Sequence, residues 1–188
     1  MRRALAAAWL VATGLATGAA TAAAWELAGD KVITAHTRDA GPLRLGTVRF
    51  EPQADGSTRF TLALEAARFT DHFLSMKEFK CFGGAGELMC HVPYPYAQPG
   101  SVRPDDLAWL EHALLFLYKR PGEFGAKLWN GLYFKLTRDA AGLVGTPQAI
   151  DLNRISAPPD RPAEPPYRAA LRDDIAPGAR WVERLTIE

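Results

Sequence analysis

Cys81 and Cys90 are the only cysteines in the 188-residue chain, and His91 directly follows the second. They lie in the stretch FKCFGGAGELMCHVPYPY, residues 79 to 96. Two thiols beside an imidazole suggest metal or redox chemistry, whereas two thiols around a glycine-rich turn suggest a bridged hairpin. The eight intervening residues match none of the tight Cys and His spacings of zinc sites. Neighbouring residues in a strand point to opposite faces, so Cys90 and His91 cannot both reach one ion from an unbroken strand. If the cysteines face each other across an antiparallel pair, the turn centres between Ala85 and Gly86. Phe79 then meets Val92 on the cysteine face, while Phe82 meets Met89 and Lys80 meets His91 on the other. The expectation is a Cys81–Cys90 disulfide, contributing about 2 to 3 kcal/mol in the chain-entropy view.

Other side chains offer weaker chemistry. His72, Met76, Met89, His91 and His112 would suit copper if they converged, since thioethers and imidazoles are its ligands in exported proteins. They share no motif spacing. His72 and Met76 lie on one face only if residues 71 to 78 are helical. Asp71, His72 and Ser75 are close in sequence, yet neither a nucleophile-elbow glycine pattern nor a zinc-protease histidine pair accompanies them. Glu65, Glu78, Glu87, Glu111 and Asp151 could act as acid and base only if folding set a pair at the right separation. The reading therefore leans away from an enzyme, and neither a cofactor nor a resident metal is expected. Tyr94, Tyr96, Trp129 and Tyr133 form the candidate ligand pocket, because amphipathic rings line apolar sites with polar tips.

Such residues need a scaffold and a compartment. Met1-Arg2-Arg3, an apolar run from Ala4 to Leu15 and small residues up to Ala24 read as a cleaved secretory signal over residues 1 to 24. The apolar run is too short to span a bilayer, so no membrane span is expected in the mature protein, residues 25 to 188. Cleavage would remove two of 22 basic residues, leaving 20 against 21 acidic ones and a formal charge of −1. A near-neutral surface without charge runs argues against nucleic acid as a partner. The predicted location is the periplasm or the exterior.

The mature chain reads as one domain of antiparallel strands. Lys31 to Thr37 and Leu43 to Glu51 flank a turn cluster, and Phe60, Leu62 and Leu64 alternate with other residues as a third strand. Leu132 to Thr137 and Leu143 to Leu152 form another hairpin, and Arg180 to Glu188 ends the chain as a strand. Between them the spacing of Leu107, Leu110, Leu114 and Leu117 predicts one helix, from Pro104 to the Pro121-Gly122 stop. The proline-rich segment 156–179 reads as an extended stretch across the domain. The fold class is thus mainly β: an antiparallel barrel or barrel-like sheet of about seven or eight strands with one packed helix, or alternatively a two-sheet sandwich.

The segments FLSMKEFKC (73 to 81), CHVPYPY (90 to 96), DDLAWLEHALLFLYKRPGEFGAKLWNG (105 to 131) and LVGTPQAIDLN (143 to 153) resemble an uncharacterised family of small exported proteobacterial proteins. The resemblance spans nearly the whole mature chain and implies an exported, disulfide-capable domain, but no activity. The expected function is non-enzymatic: binding of a small apolar ligand or an accessory role beside an envelope protein. A copper protein, an interaction module using the helix from Asp105 to Tyr118 or the Pro-Tyr segment at 93 to 96, and a hydrolase stand as alternatives.

Overall fold

Alternation of apolar and polar side chains builds the first three strands as expected: β1 (Gly29–Thr37), β2 (Gly41–Pro52) and β3 (Thr58–Leu64). Ile33, Ala35, Leu45, Val48, Phe50 and Phe60 enter one core, and the residues between most of them face outward. These elements belong to a computed structural model that describes residues 25–74, 77–84, 86–156 and 164–188. The expected signal segment, Ser75, Met76, Ala85 and the middle of the proline-rich segment lie outside the described residues.

The remaining strands are β4 (Thr70–Leu74), β5 (Lys77–Gly84), β6 (Glu87–His91), β7 (Ser101–Val102), β8 (Phe116–Lys119), β9 (Gly131–Arg138), β10 (Leu143–Ile150), β11 (Asp173–Asp174) and β12 (Val182–Ile187). They form one antiparallel sheet in the order β4-β5-β6-β8-β9-β10-β12-β1-β2-β3-β7, with β11 added beside β10. Among the described residues no ladder joins the two ends of that order. Among these residues a closed barrel is therefore not formed, and the strands number twelve rather than seven or eight. The additional strands are short or lack alternation: β7 and β11 have two residues each.

The sheet must nevertheless bend strongly. Nine strand spacings separate β4 from β3 in that order, which would be about 43 Å in a flat sheet. Yet Leu64 and Thr70, the facing ends of β3 and β4, are six residues apart and can span at most about 20 Å. The connection, which contains the 3-10 turn Ala66–Arg68, brings Phe69 to 5.4 Å from the Phe82 ring on β5. The main core lies inside this bend, where Phe82 also meets Phe116 of β8 and Trp181 beside β12.

The helix departs from expectation. Helix α1 covers only Ala108–Ala113, and the apolar run after it becomes strand β8. Leucine at helical spacing misled because the run is apolar on every face. Leu115 and Leu117 enter a second core while Phe116 enters the main one, which is period two, not 3.6. The second core also takes in Cys81, Cys90, Tyr133, Ile150, Leu152 and Tyr167, so β6, β8 and β9 are covered on both faces.

Placing a short helix before β8 leaves a gap that Glu111 fills. The β8–β9 register pairs Phe116 with Leu132 and Leu117 with Gly131. Continued, it would set Leu136 opposite His112, but that position is helical. The Glu111 carboxylate takes the missing strand's place: Oε1 accepts the Leu136 backbone N–H at 2.7 Å and the Lys135 ammonium at 3.0 Å. The other oxygen accepts the Tyr133 hydroxyl. This explains how a carboxylate that is only 1% exposed is tolerated.

Candidate ligand groove at the disulfide fork

Cys81 and Cys90 are bonded, with Cα atoms 4.0 Å apart, and both are fully buried. The pairs Cys81–Cys90 and Phe82–Met89 form as the sequence predicts, and Gly83–Leu88 and Gly84–Glu87 continue the same register toward Gly86, whose φ is +99°. The face opposite the bridge looks into the main core, since Phe82 and Met89 belong to it. At the other end the expectation fails. The ladder stops at Cys81–Cys90, and the expected pairs Phe79–Val92 and Lys80–His91 do not form.

The cause lies in the residues after the bridge. The N–H groups of Val92 and Tyr94 donate to Leu115 and His112 carbonyl oxygens at 2.9 and 3.0 Å, so this segment follows the α1–β8 junction. Alternate residues of an extended chain present N–H to opposite sides, and the positions that would face β5 include Pro93 and Pro95. Proline has no N–H to donate, so the ladder has no donors there to continue. β5 meanwhile stays with β4, pairing Lys80 with Asp71 and Phe79 with His72. The strands separate immediately beyond the disulfide.

A groove of about 340 Å³ occupies the fork. Phe79 lines one side and Val92, Pro93 and Pro95 the other, with Leu128, Leu152 and Ile155 completing the apolar surface. Glu78, Lys80 and His91 add polar groups. Lys80 pairs with Asp71 at 2.5 Å, which holds its ammonium above the ordinary lysine range. His91 Nε2 lies 2.8 Å from the Ala113 carbonyl oxygen, an acceptor only, so Nε2 carries the proton. Burial pushes its pKa down, and the hydrogen bond to Ala113 offsets this only in part. Such a site can hold an apolar or amphipathic molecule with little polar anchoring. A larger depression of about 540 Å³ along His36, Ile175, Pro177 and Arg184 also carries Arg180 and Glu183, and it suits an apolar ligand less well.

The four aromatic residues singled out from the sequence do not line this groove. Tyr94 is buried and donates its hydroxyl to the Ser156 carbonyl oxygen, and Tyr96 packs on its ring from the exposed side. Tyr133 is buried against Glu111; burial first, and then that carboxylate, raises its phenol pKa far above the ordinary value. Trp129 is 62% exposed. Their sequence neighbours Pro93, Pro95 and Leu128 form the groove instead. Proline content marked the segment, but only the register reveals that those prolines open the ladder.

His112 is the centre of an aromatic cluster. Its ring meets Tyr94, Trp109 and Tyr133 at 5.4 to 6.0 Å and stacks on Tyr167 at 5.7 Å. Nδ1 donates to the Ala108 carbonyl oxygen at 2.7 Å, and Nε2 accepts the Tyr167 N–H at 3.1 Å. Both ring nitrogens are engaged and the imidazole is held neutral, with burial as the main cause of its lowered pKa. His72 sits on edge strand β4, and Met89 lies in the main core, paired with Tyr118 of β8. Among the described residues no group of three or more His, Cys, Asp or Glu side chains is placed to hold a metal.

Besides Glu111, three of the candidate carboxylates have structural partners. Glu65 pairs with Arg44, Glu87 with Arg180, and Asp151 caps the 3-10 turn Leu152–Arg154 by accepting the Asn153 N–H. Asp71 and His72 are adjacent on β4 and so point to opposite faces. Comparison with family models, with curated proteins and with solved structures found no match. Among the described residues, no helix is long and apolar enough to cross a membrane.

Proposed function

We propose that this chain is an exported, non-enzymatic binding protein that takes a small apolar or amphipathic ligand into the groove at the disulfide fork. The observation that carries the reading is the ladder ending at Cys81–Cys90 with an apolar groove directly beyond it. Its volume of about 340 Å³ falls at the small end of ordinary ligand pockets. The disulfide pins the fork and fits an oxidising compartment such as the periplasm. The resemblance to exported proteobacterial proteins points the same way. A sheet rolled around its core makes the scaffold barrel-like, and the groove sits on its outer side rather than in a lumen.

The alternative readings receive less support. An interaction module on the helix needs an exposed apolar face, whereas Trp109, Leu110 and Ala113 of α1 are buried. Copper binding would need donors brought together, and His91 and His112 each serve separate carbonyl oxygens.

The test is a fluorescence titration with 1-anilinonaphthalene-8-sulfonate, competed by medium-chain fatty acids. Saturable binding that is lost in Leu128→Asp, with unfolding unchanged, is the expected result. Equal binding by the variant would place the ligand elsewhere. Leu128 is suited to this test because its side chain is partly exposed, at 37%.

A further inference from the structure

Another concave surface lies at the opposite end of the β5–β6 hairpin, where the Gly86 turn meets the loop between β8 and β9. It encloses about 440 Å³, and its walls carry four cationic side chains, Lys119, Arg120, Lys127 and Arg180, beside two carboxylates, Glu87 and Glu123. Each carboxylate is already engaged. Glu123 pairs with Lys127 and accepts the Arg120 backbone N–H at 3.3 Å. Glu87 pairs with Arg180 at 3.2 Å and accepts the Trp181 backbone N–H at 3.3 Å. The Arg180 guanidinium also lies 3.8 Å from the Tyr118 ring centroid, which fixes it in the wall.

Two cations remain without a carboxylate of their own. Lys119 is only 5% exposed, and its ammonium donates to the backbone carbonyl oxygen of Glu123. An ammonium has three donors, and this one faces the groove with capacity for further acceptors. The Arg120 guanidinium stands on the exposed rim with no ion-pair partner among the described residues. Four cations against two carboxylates give the groove an excess of two positive charges.

We propose that this groove is an anion site for a small phosphate monoester or free phosphate, with Lys119 and Arg120 as its charged contacts. A dianionic phosphate matches the excess charge, while a monocarboxylate leaves one cation uncompensated. Guanidinium and ammonium groups are also the usual partners of phosphate oxygens. The site is independent of the apolar groove, which lies at the far end of the hairpin.

The test follows thermal unfolding and backbone amide NMR shifts of the full chain during titration with inorganic phosphate, against sodium chloride at equal ionic strength. A ligand that binds only the folded state raises Tm in a saturable way. The expected result is such a rise, with amide shifts gathered at Gly86, Lys119 and Asn130. Arg120→Ala should weaken the apparent affinity roughly tenfold, the usual scale for losing a charged hydrogen bond. Arg120→Glu should abolish binding, and because Arg120 is exposed both variants keep the fold. A parallel arm offers phosphatidylglycerol vesicles, whose headgroups carry a single charge. The proposal is overturned if sodium chloride gives the same response, if Arg120→Ala binds as the wild type does, or if only the vesicles bind.

Discussion

Cys81 and Cys90 form the last pair of the β5–β6 ladder, and the strands they join part directly beyond them. The bond therefore closes the hairpin and also sets the width of the fork. A Cys81→Ala, Cys90→Ala double variant should lose about 2 to 3 kcal/mol from released loop entropy, and more from the cavity left in the second core. Urea denaturation measures the loss. The same variant should bind the apolar probe more weakly even where it is fully folded, because the groove walls are no longer tied.

Glu111 provides a second check, on the architecture rather than the groove. Its carboxylate accepts from Leu136 N–H, Lys135 and Tyr133 where α1 interrupts the β8–β9 ladder. Glu111→Ala should cost about 3 kcal/mol, since buried donors at Leu136 and Tyr133 lose their acceptor. Lys135 is part-exposed and returns to water in that variant, so it adds little to the cost. A loss under about 1 kcal/mol in Glu111→Ala, read by urea denaturation, would contradict the assignment of Glu111 as the missing strand's substitute.

The histidines give stability a pH dependence with a definite sign. Burial holds His91 and His112 below the ordinary histidine value of 6.5, so each is neutral in the folded chain. Below about pH 6.5 the unfolded chain takes up protons that the folded chain refuses, and stability falls with pH until the lowered folded values are reached. Above pH 6.5 this contribution is fully present. Glu111 favours and Arg172 opposes protonation of His112, but both act more weakly than burial. Urea denaturation at pH 7.5 and pH 5.0 should show the decline, at most about 1.4 kcal/mol per pH unit for each histidine. A His91→Gln, His112→Asn variant should start lower at pH 7.5 and decline less.

The strands and the bridge were legible in the residues because alternation and paired cysteines are local signals. β1, β2, β3, β9, β10 and β12 all fall where the pattern sets them, and Cys81 meets Cys90 in the expected register. The segment from Leu114 to Lys119 was not legible, since leucine on every face satisfies helix and strand alike. What decided it was burial on both sides, a property of the folded sheet. The fork had a signal that sequence reasoning missed: prolines at alternate positions 93 and 95 remove the donors on one side of the chain. Their meaning depends on which side faces β5, and that requires the partner strand.

The central claim is that the fork beyond Cys81–Cys90 holds an apolar ligand in an exported protein. Native mass spectrometry of the protein purified from its own cells tests it most directly. The account predicts loss of residues 1 to 24, a mass two hydrogens below the reduced chain, and one stoichiometric organic molecule that is absent from Leu128→Asp. A ligand-free protein, or the same molecule retained by Leu128→Asp, would contradict it.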